Sequence, residues 1–166
     1  MNAKSLEINF FAECWERFKK PWCNSFSAYF IFIIAIFSAG GIIFSIFSSI
    51  DADKRIFSIA SNMSTYFIAL IIPAVIDIFL SFGKLRNKVS FIIYMIVILV
   101  ISGILLWLSN TMSSNFVLIP AFLGVFLSWF FWVIANSDND NLNDYSYDKK
   151  IKDEVAKNHG GNWDEK

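Results

Sequence analysis

Asp77 is the only charged side chain inside the long apolar stretches of this chain. It ends a line of small or polar residues, Ser58, Asn62, Thr65, Tyr66, Ala69 and Pro73. At 100° per residue all of them fall within about 60° of Asn62, so one helix face carries hydroxyls, an amide and a carboxylate. Such a face can line a hydrated cation path, move a proton, or make polar contacts where water is absent. A proton relay has no second member, because the apolar stretches contain no other carboxylate, no Lys and no His. Aspartyl hydrolysis needs two carboxylates in one site, and each chain supplies one. Ser–His and Cys–His chemistry lack a base, since the single histidine, His159, lies near the C-terminal end. Cys14 and Cys23 are nine residues apart, which fits neither a CxxC redox pair nor a zinc ribbon, so both read as reduced thiols. Asp138, Asp140 and Asp144 lack the central Gly and closing Glu of a calcium loop and read as a solvated linker. The expectation is a protein that is not an enzyme and holds no metal or cofactor.

The elements that position this line are four apolar stretches, 26–50, 56–82, 89–109 and 116–135. Each has about 20 residues or more, enough for a helix to cross a hydrocarbon core roughly 30 Å thick. Runs such as 30–37 and 91–101 are apolar all round, without the polar face of a helix in a water-soluble fold. A transmembrane β-barrel would need shorter segments of alternating polarity. The predicted fold is therefore all-α: a four-helix transmembrane bundle with an N-terminal amphipathic helix (1–25) and a polar C-terminal tail (136–166). Pro73 is expected to kink the second span and free a backbone carbonyl on the polar face.

Charge gives the orientation. The formal net charge of zero hides a strong asymmetry: Lys4, Arg17, Lys19, Lys20, Lys84, Arg86, Lys88, Lys149, Lys150, Lys152, Lys157 and Lys166 share one side, against Lys54 and Arg55 on the other. The positive-inside rule places both termini in the cytoplasm of an inner-membrane, multi-pass protein. Trp22, Trp107, Trp129 and Trp132 fall near the expected interfaces. The first apolar run is too long and too late for a cleavable signal and is read as an anchor.

Ile8, Phe11, Trp15, Phe18 and Trp22 recur at three- and four-residue spacing, with Glu13, Glu16, Arg17, Lys19 and Lys20 over the remaining surface. This is the pattern of a helix lying in the headgroup layer, as an anchor for the first span or as a lipid sensor. Ala35 with Ala39, then Gly41, Ser45 and Ser49, and in the fourth span Gly124 with Ser128, are small residues four apart that allow close helix contact. Those contacts serve either the bundle itself or a homo-oligomer. Asp77 lies about 9 Å along the helix from Gly83, so its readings are an ion pair with Lys84, Arg86 or Lys88 or a hydroxyl from a neighbouring helix, or, with Asn62, a place on a hydrated path or in the moving part of a sensor.

After 135 the chain turns polar, and the tail carries five Lys against eight acids. A linker over 136–148 and a short charged helix over 147–158 are expected, with Ile151, Val155 and Trp163 as apolar residues for a cytoplasmic partner or as part of a disordered tail. Lys84, Arg86 and Lys88 are further candidates for partner docking, and direct nucleic-acid binding is not expected. In size and span layout over 26–135 the chain resembles the small membrane subunits encoded beside soluble effectors in bacterial defence systems, the Kiwa antiphage system among them. That resemblance implies an inner-membrane subunit that responds to phage perturbation of the envelope and holds a soluble DNA-binding effector. No motif carries a family residue onto this chain. The leading expectation is a non-enzymatic sensor or anchor; the alternative is a homo-oligomeric pore with Asn62, Tyr66 and Asp77 around its axis.

Overall fold

The computed structural model describes residues 10–48, 51–80, 88–112 and 115–159, and every regular element among them is helical. Helix α1 (Phe10–Lys19) is followed by α2 (Asn24–Tyr29), a π-helical segment (Phe30–Phe37) and α3 (Gly40–Phe47). Next come α4 (Ala52–Leu80), α5 (Lys88–Thr111), a 3-10 turn (Asn115–Val117) and α6 (Leu118–Ala135). A second 3-10 turn (Asp140–Leu142) leads into α7 (Asp144–His159).

The stretch expected as one helix over 26–50 is broken at Ser38 and Ala39. Its β-branched run, Ile31, Ile33, Ile34 and Ile36, is stiff and crowded in an α-helix. The ladder widens there, with the Ser38 N–H donating to Ile33 O at 3.0 Å. The Ser38 hydroxyl donates to the same carbonyl at 2.8 Å and competes with the helix for it. Ala39 then takes φ −82°, ψ 9°, and two poor helix formers, Gly40 and Gly41, open α3. At the other end, Pro21 follows α1, and the segments Phe11–Lys19 and Asn24–Phe37 meet at 97°.

Helix α4 is the axis of the fold: it packs along α6 and also touches α3 and α5. It begins after Asp51, whose carboxylate suits the positive end of the helix, and stays helical through Pro73. The α4–α6 contact is close because Gly124 lets the fully buried Phe67 ring lie against its backbone. Ile71, Val75, Phe91, Met95, Phe131 and Ile134 form the core where α4, α5 and α6 meet, and Cys14 of α1 joins it. Trp129 and Trp132 turn toward the protein: Trp132 is buried with Phe26, Ile34 and Val133, and Trp129 packs partly buried beside it. Trp22 and Trp107 remain exposed.

Three helices are long and apolar enough to cross a membrane, Lys54–Leu80, Phe91–Thr111 and Leu118–Ala135, or four if the bent pair through Pro21 counts as one. The outward side chains of these helices and of α3 form an apolar sheath. Phe37, Phe44, Phe47 and Leu80 are each more than three-quarters exposed, a surface that water does not favour and a bilayer covers.

Candidate functional site

The polar line on α4 divides into two parts with different surroundings. Its first part serves the broken first stretch. Asn62 donates from Nδ2 to Gly41 O at 3.2 Å and to Ser45 Oγ at 2.6 Å. Ser45 Oγ also lies 3.0 Å from Ser58 Oγ and donates to Gly41 O at 3.0 Å. Tyr66 donates its hydroxyl to Ile34 O, inside the π segment, at 2.6 Å, and accepts from Trp129 Nε1 at 2.7 Å. A break in a helix leaves backbone groups that apolar surroundings cannot satisfy. Asn62 and Tyr66 supply partners on either side of this break, four residues apart on one face of α4.

Thr65, Ala69, Pro73 and Asp77 form the second part and are exposed. Thr65 Oγ1 donates back to Ser61 O of its own helix at 3.1 Å. Asp77 makes no hydrogen bond or ion pair with another described residue. The cations proposed for it, Lys84 and Arg86, lie outside the described residues, as does the side chain of Lys88. A cleft of about 350 Å³ opens beside the break, with Ser38, Gly41, Asn62, Thr65 and Tyr66 in its lining. Of the small residues read as packing positions, Ala35 and Ala39 are half-buried, Ser45 and Ser128 are buried, Gly124 faces Phe67, and Ser49 lies outside the described residues. Ser128 Oγ donates to Val125 O at 2.8 Å. A second intramembrane-type pair, not anticipated from the sequence, is Ser64 with Ser109, whose hydroxyls lie 2.5 Å apart and bridge α4 to α5.

The second polar site joins α1 to the root of α7. Arg17 donates from Nη1 to Asp138 Oδ2 at 3.0 Å and to Ser137 Oγ at 3.4 Å, and its Nε lies 3.6 Å from Glu13 Oε1. Lys20 forms an ion pair with the other oxygen of Asp138. Cys23 Sγ donates to Leu142 O at 3.1 Å, and the Ser25 N–H at the start of α2 donates to Asp144 Oδ1 at 3.3 Å. This corrects two expectations. Glu13 is not on the open face of α1 but 4% exposed against this network. Residues 136–143 are a solvated linker only in part: Asp140, Asn141 and Asn143 are exposed, but Ser137 is buried, Asp138 is held by two cations, and α7 starts at Asp144 rather than at 147. The signal was present in the asparagines. Asn139 Oδ1 accepts from Asn141 N at 3.1 Å, Asn143 Oδ1 accepts from Tyr145 N at 3.1 Å, and these turns start the 3-10 turn and α7. Beside the network lies a pocket of about 550 Å³ whose lining includes Glu16, Lys20, Asp140 and Asn143.

The two thiols differ. Burial, with Glu13 adding to it and Arg17 opposing it, pushes the Cys14 thiol up to about 12 from 9.0. Cys23 is half-buried. The Cys14 thiol therefore stays neutral at pH 8, where an ordinary cysteine is in part thiolate. We expect iodoacetamide at pH 8 to label Cys23 in the folded protein and Cys14 only after unfolding, as read by peptide mass spectrometry; equal labelling would refute the burial.

Ile151 and Val155 are exposed on α7, whose principal packing among the described residues is on the 3-10 turn before it; Trp163 lies outside the described residues. Among the described residues no group of three or more His, Cys, Asp or Glu side chains is arranged to hold a metal ion.

Fold and contacts together define an all-helical protein with three to four helices able to cross a bilayer, braced by polar contacts at the break in its first apolar stretch. No family model, curated protein or solved structure matches the chain.

Proposed function

We propose that this chain is a non-enzymatic anchor and sensor subunit: a four-span bundle of the bacterial inner membrane, both termini cytoplasmic, that recruits or controls a soluble cytoplasmic protein. The observation that carries this reading is the use of the α4 polar line. Ser58, Asn62 and Tyr66 are engaged with the first stretch and with Trp129, so the residues best suited to line a pore brace the fold instead. The exposed tail helix α7, with Ile151 and Val155 at helical spacing, offers the surface for a partner. Helix α1, with Phe11 and Trp15 exposed and Trp22 exposed just beyond it, offers an aromatic surface through which a change in the headgroup layer reaches the protein first. Together with the Kiwa-like layout, these features favour a role in antiphage defence in which the membrane subunit reports envelope perturbation to a bound effector.

One observation favours a second reading. Thr65, Ala69, Pro73 and Asp77 present an outward line on α4, and a carboxylate there costs a few kcal/mol in hydrocarbon unless other protein or water covers it. A homo-oligomer built on this face shelters Asp77 whether the assembly is an anchor or a pore. Planar-bilayer recording of the purified chain separates the two. The anchor reading expects no conductance from the wild type or from Asp77→Asn; steady cation-selective current that Asp77→Asn makes less selective would establish the pore. In parallel, affinity purification from the native host should recover a soluble partner with the full chain and lose it on truncation after Ser137.

A further inference from the structure

The charges at the α1–α7 end are sorted in an informative way. Glu13, Arg17 and Lys20 are spaced by four and three, so they share one face of α1 and its continuation, and Arg17 stands between two carboxylates, Glu13 of its own helix and Asp138. The formal charges of these four sum to zero, and their side chains are 5%, 14%, 58% and 22% exposed in the order Glu13, Arg17, Lys20, Asp138. Within that set Asp138 is the only charge that does not belong to the α1 segment. It sits on the turn between α6 and α7, and the two contacts that follow it, Leu142 with Cys23 and Asp144 with Ser25, hold the start of α7 against the same corner.

We infer that Asp138 is a latch that sets the heading of α7 from the position of α1; this rests on the reading of α7 as the partner-binding element. Helix α1 is seated on α6 through buried Cys14 and through Phe18, whose ring stacks on Phe130 at 5.2 Å. Its Phe11 and Trp15 point outward and are 66% and 52% exposed. A shift of α1 on that seat moves Arg17 and Lys20 together and strains one carboxylate at the root of the tail. Because the principal packing of α7 among the described residues is on the adjoining 3-10 turn, release of Asp138 leaves its root held by the Cys23–Leu142 and Ser25–Asp144 contacts and widens its range of direction without unpacking the core. Replacing the Asp138 carboxylate opens the latch selectively, since Arg17 keeps Glu13 as a partner and Lys20 already reaches solvent.

The test uses the full chain in lipid nanodiscs with Cys23→Ser, nitroxides at Ala12→Cys and Lys152→Cys, and pulsed electron–electron distance measurement. Cys14 stays buried and unlabelled. With Asp138 present the distance distribution is expected to be narrow. Asp138→Asn is expected to at least double its width, and Asp138→Glu to restore it. About 1 M salt, where screening acts within roughly 3 Å, is expected to widen the wild-type distribution toward that of Asp138→Asn and to leave Asp138→Asn unchanged. Superimposable distributions for wild type and Asp138→Asn at both salt concentrations overturn the latch, and so does equal salt broadening in the two. The distance requires no partner and no current, so its failure leaves the anchor reading intact, while loss of that reading in the partner and conductance assays leaves the latch to stand on the distance alone.

Discussion

Gly124→Ala is expected to destabilise the folded protein by about 2 kcal/mol, within the range for overpacking a filled core. An added Cβ would lie 2.5 Å from Phe67 Cδ1 and 2.6 Å from Cε1. The ring is fully buried, so it cannot swing outward, and either Phe67 leaves its rotamer or α4 and α6 separate along the most extensive helix contact in the molecule. For a chain of this size the loss corresponds to a fall in melting temperature of about 4–8 °C. Gly103→Ala is the matched control: nothing lies within 4 Å of a Cβ there, and alanine is the better helix former, so stability should hold or rise. Phe67→Leu should recover part of the Gly124→Ala loss. Equal melting temperatures for Gly124→Ala and Gly103→Ala would show that the α4–α6 approach is looser than the geometry requires.

Several features of the fold were legible because they rest on composition alone. Apolar runs of spanning length dictate helices wherever water cannot satisfy the backbone, and the bounds found for α4, α5 and α6 fall within a few residues of those expected. The small residues at 124 and 128 also carried a local meaning that needs no partner helix to be identified. What periodicity could not give was the break at Ser38 and Ala39. A continuous apolar run reads as one helix, while the break depends on β-branched crowding, a serine that bonds its own ladder, and side chains on another helix that accommodate the result. The α4 line shows the same limit. Helical angles placed Ser58 to Asp77 on one face, yet one face of a helix can meet two environments along its length, and here Asn62 and Tyr66 meet the first stretch while Pro73 and Asp77 face outward.

The corner where α1 meets the root of α7 was less legible for a different reason. Polar residues at 136–148 have the composition of a linker, and composition does not register that Asn139 and Asn143 can each build a turn or that Arg17, about 120 residues earlier in sequence, requires a carboxylate. Glu13 illustrates the point from the other side. Its charge argued for exposure, but Arg17 at i+4 stands against one of its oxygens and offsets part of the cost of burial. Long-range charge pairing is invisible to any window along the chain, and it is this pairing that turns two unremarkable termini into one site.

Tyr66→Phe tests the polar brace most directly. The substitution keeps the ring, so packing changes little, and removes one oxygen that donates to Ile34 O and accepts from Trp129 Nε1. Hydrogen bonds between helices in a bilayer average about 0.6 kcal/mol, because the unfolded chain finds other partners in the membrane. Here one hydroxyl serves two groups, and its loss strands a carbonyl beside an irregular helix and an indole N–H, so the expected cost is about 2 kcal/mol. Trp129→Phe alone should cost less, since Tyr66 can still donate to Ile34 O. In the double variant the two losses should fall short of additive by about 0.5–1 kcal/mol, as for groups that share one network. Amide exchange across Phe30–Phe37 should quicken by about tenfold or more in Tyr66→Phe and little in Trp129→Phe, because only the first removes the hydroxyl that donates to Ile34 O within the π segment. Strict additivity together with unchanged exchange would mean that the first stretch holds its irregular geometry by its own sequence, and that the polar face of α4 answers to some other demand.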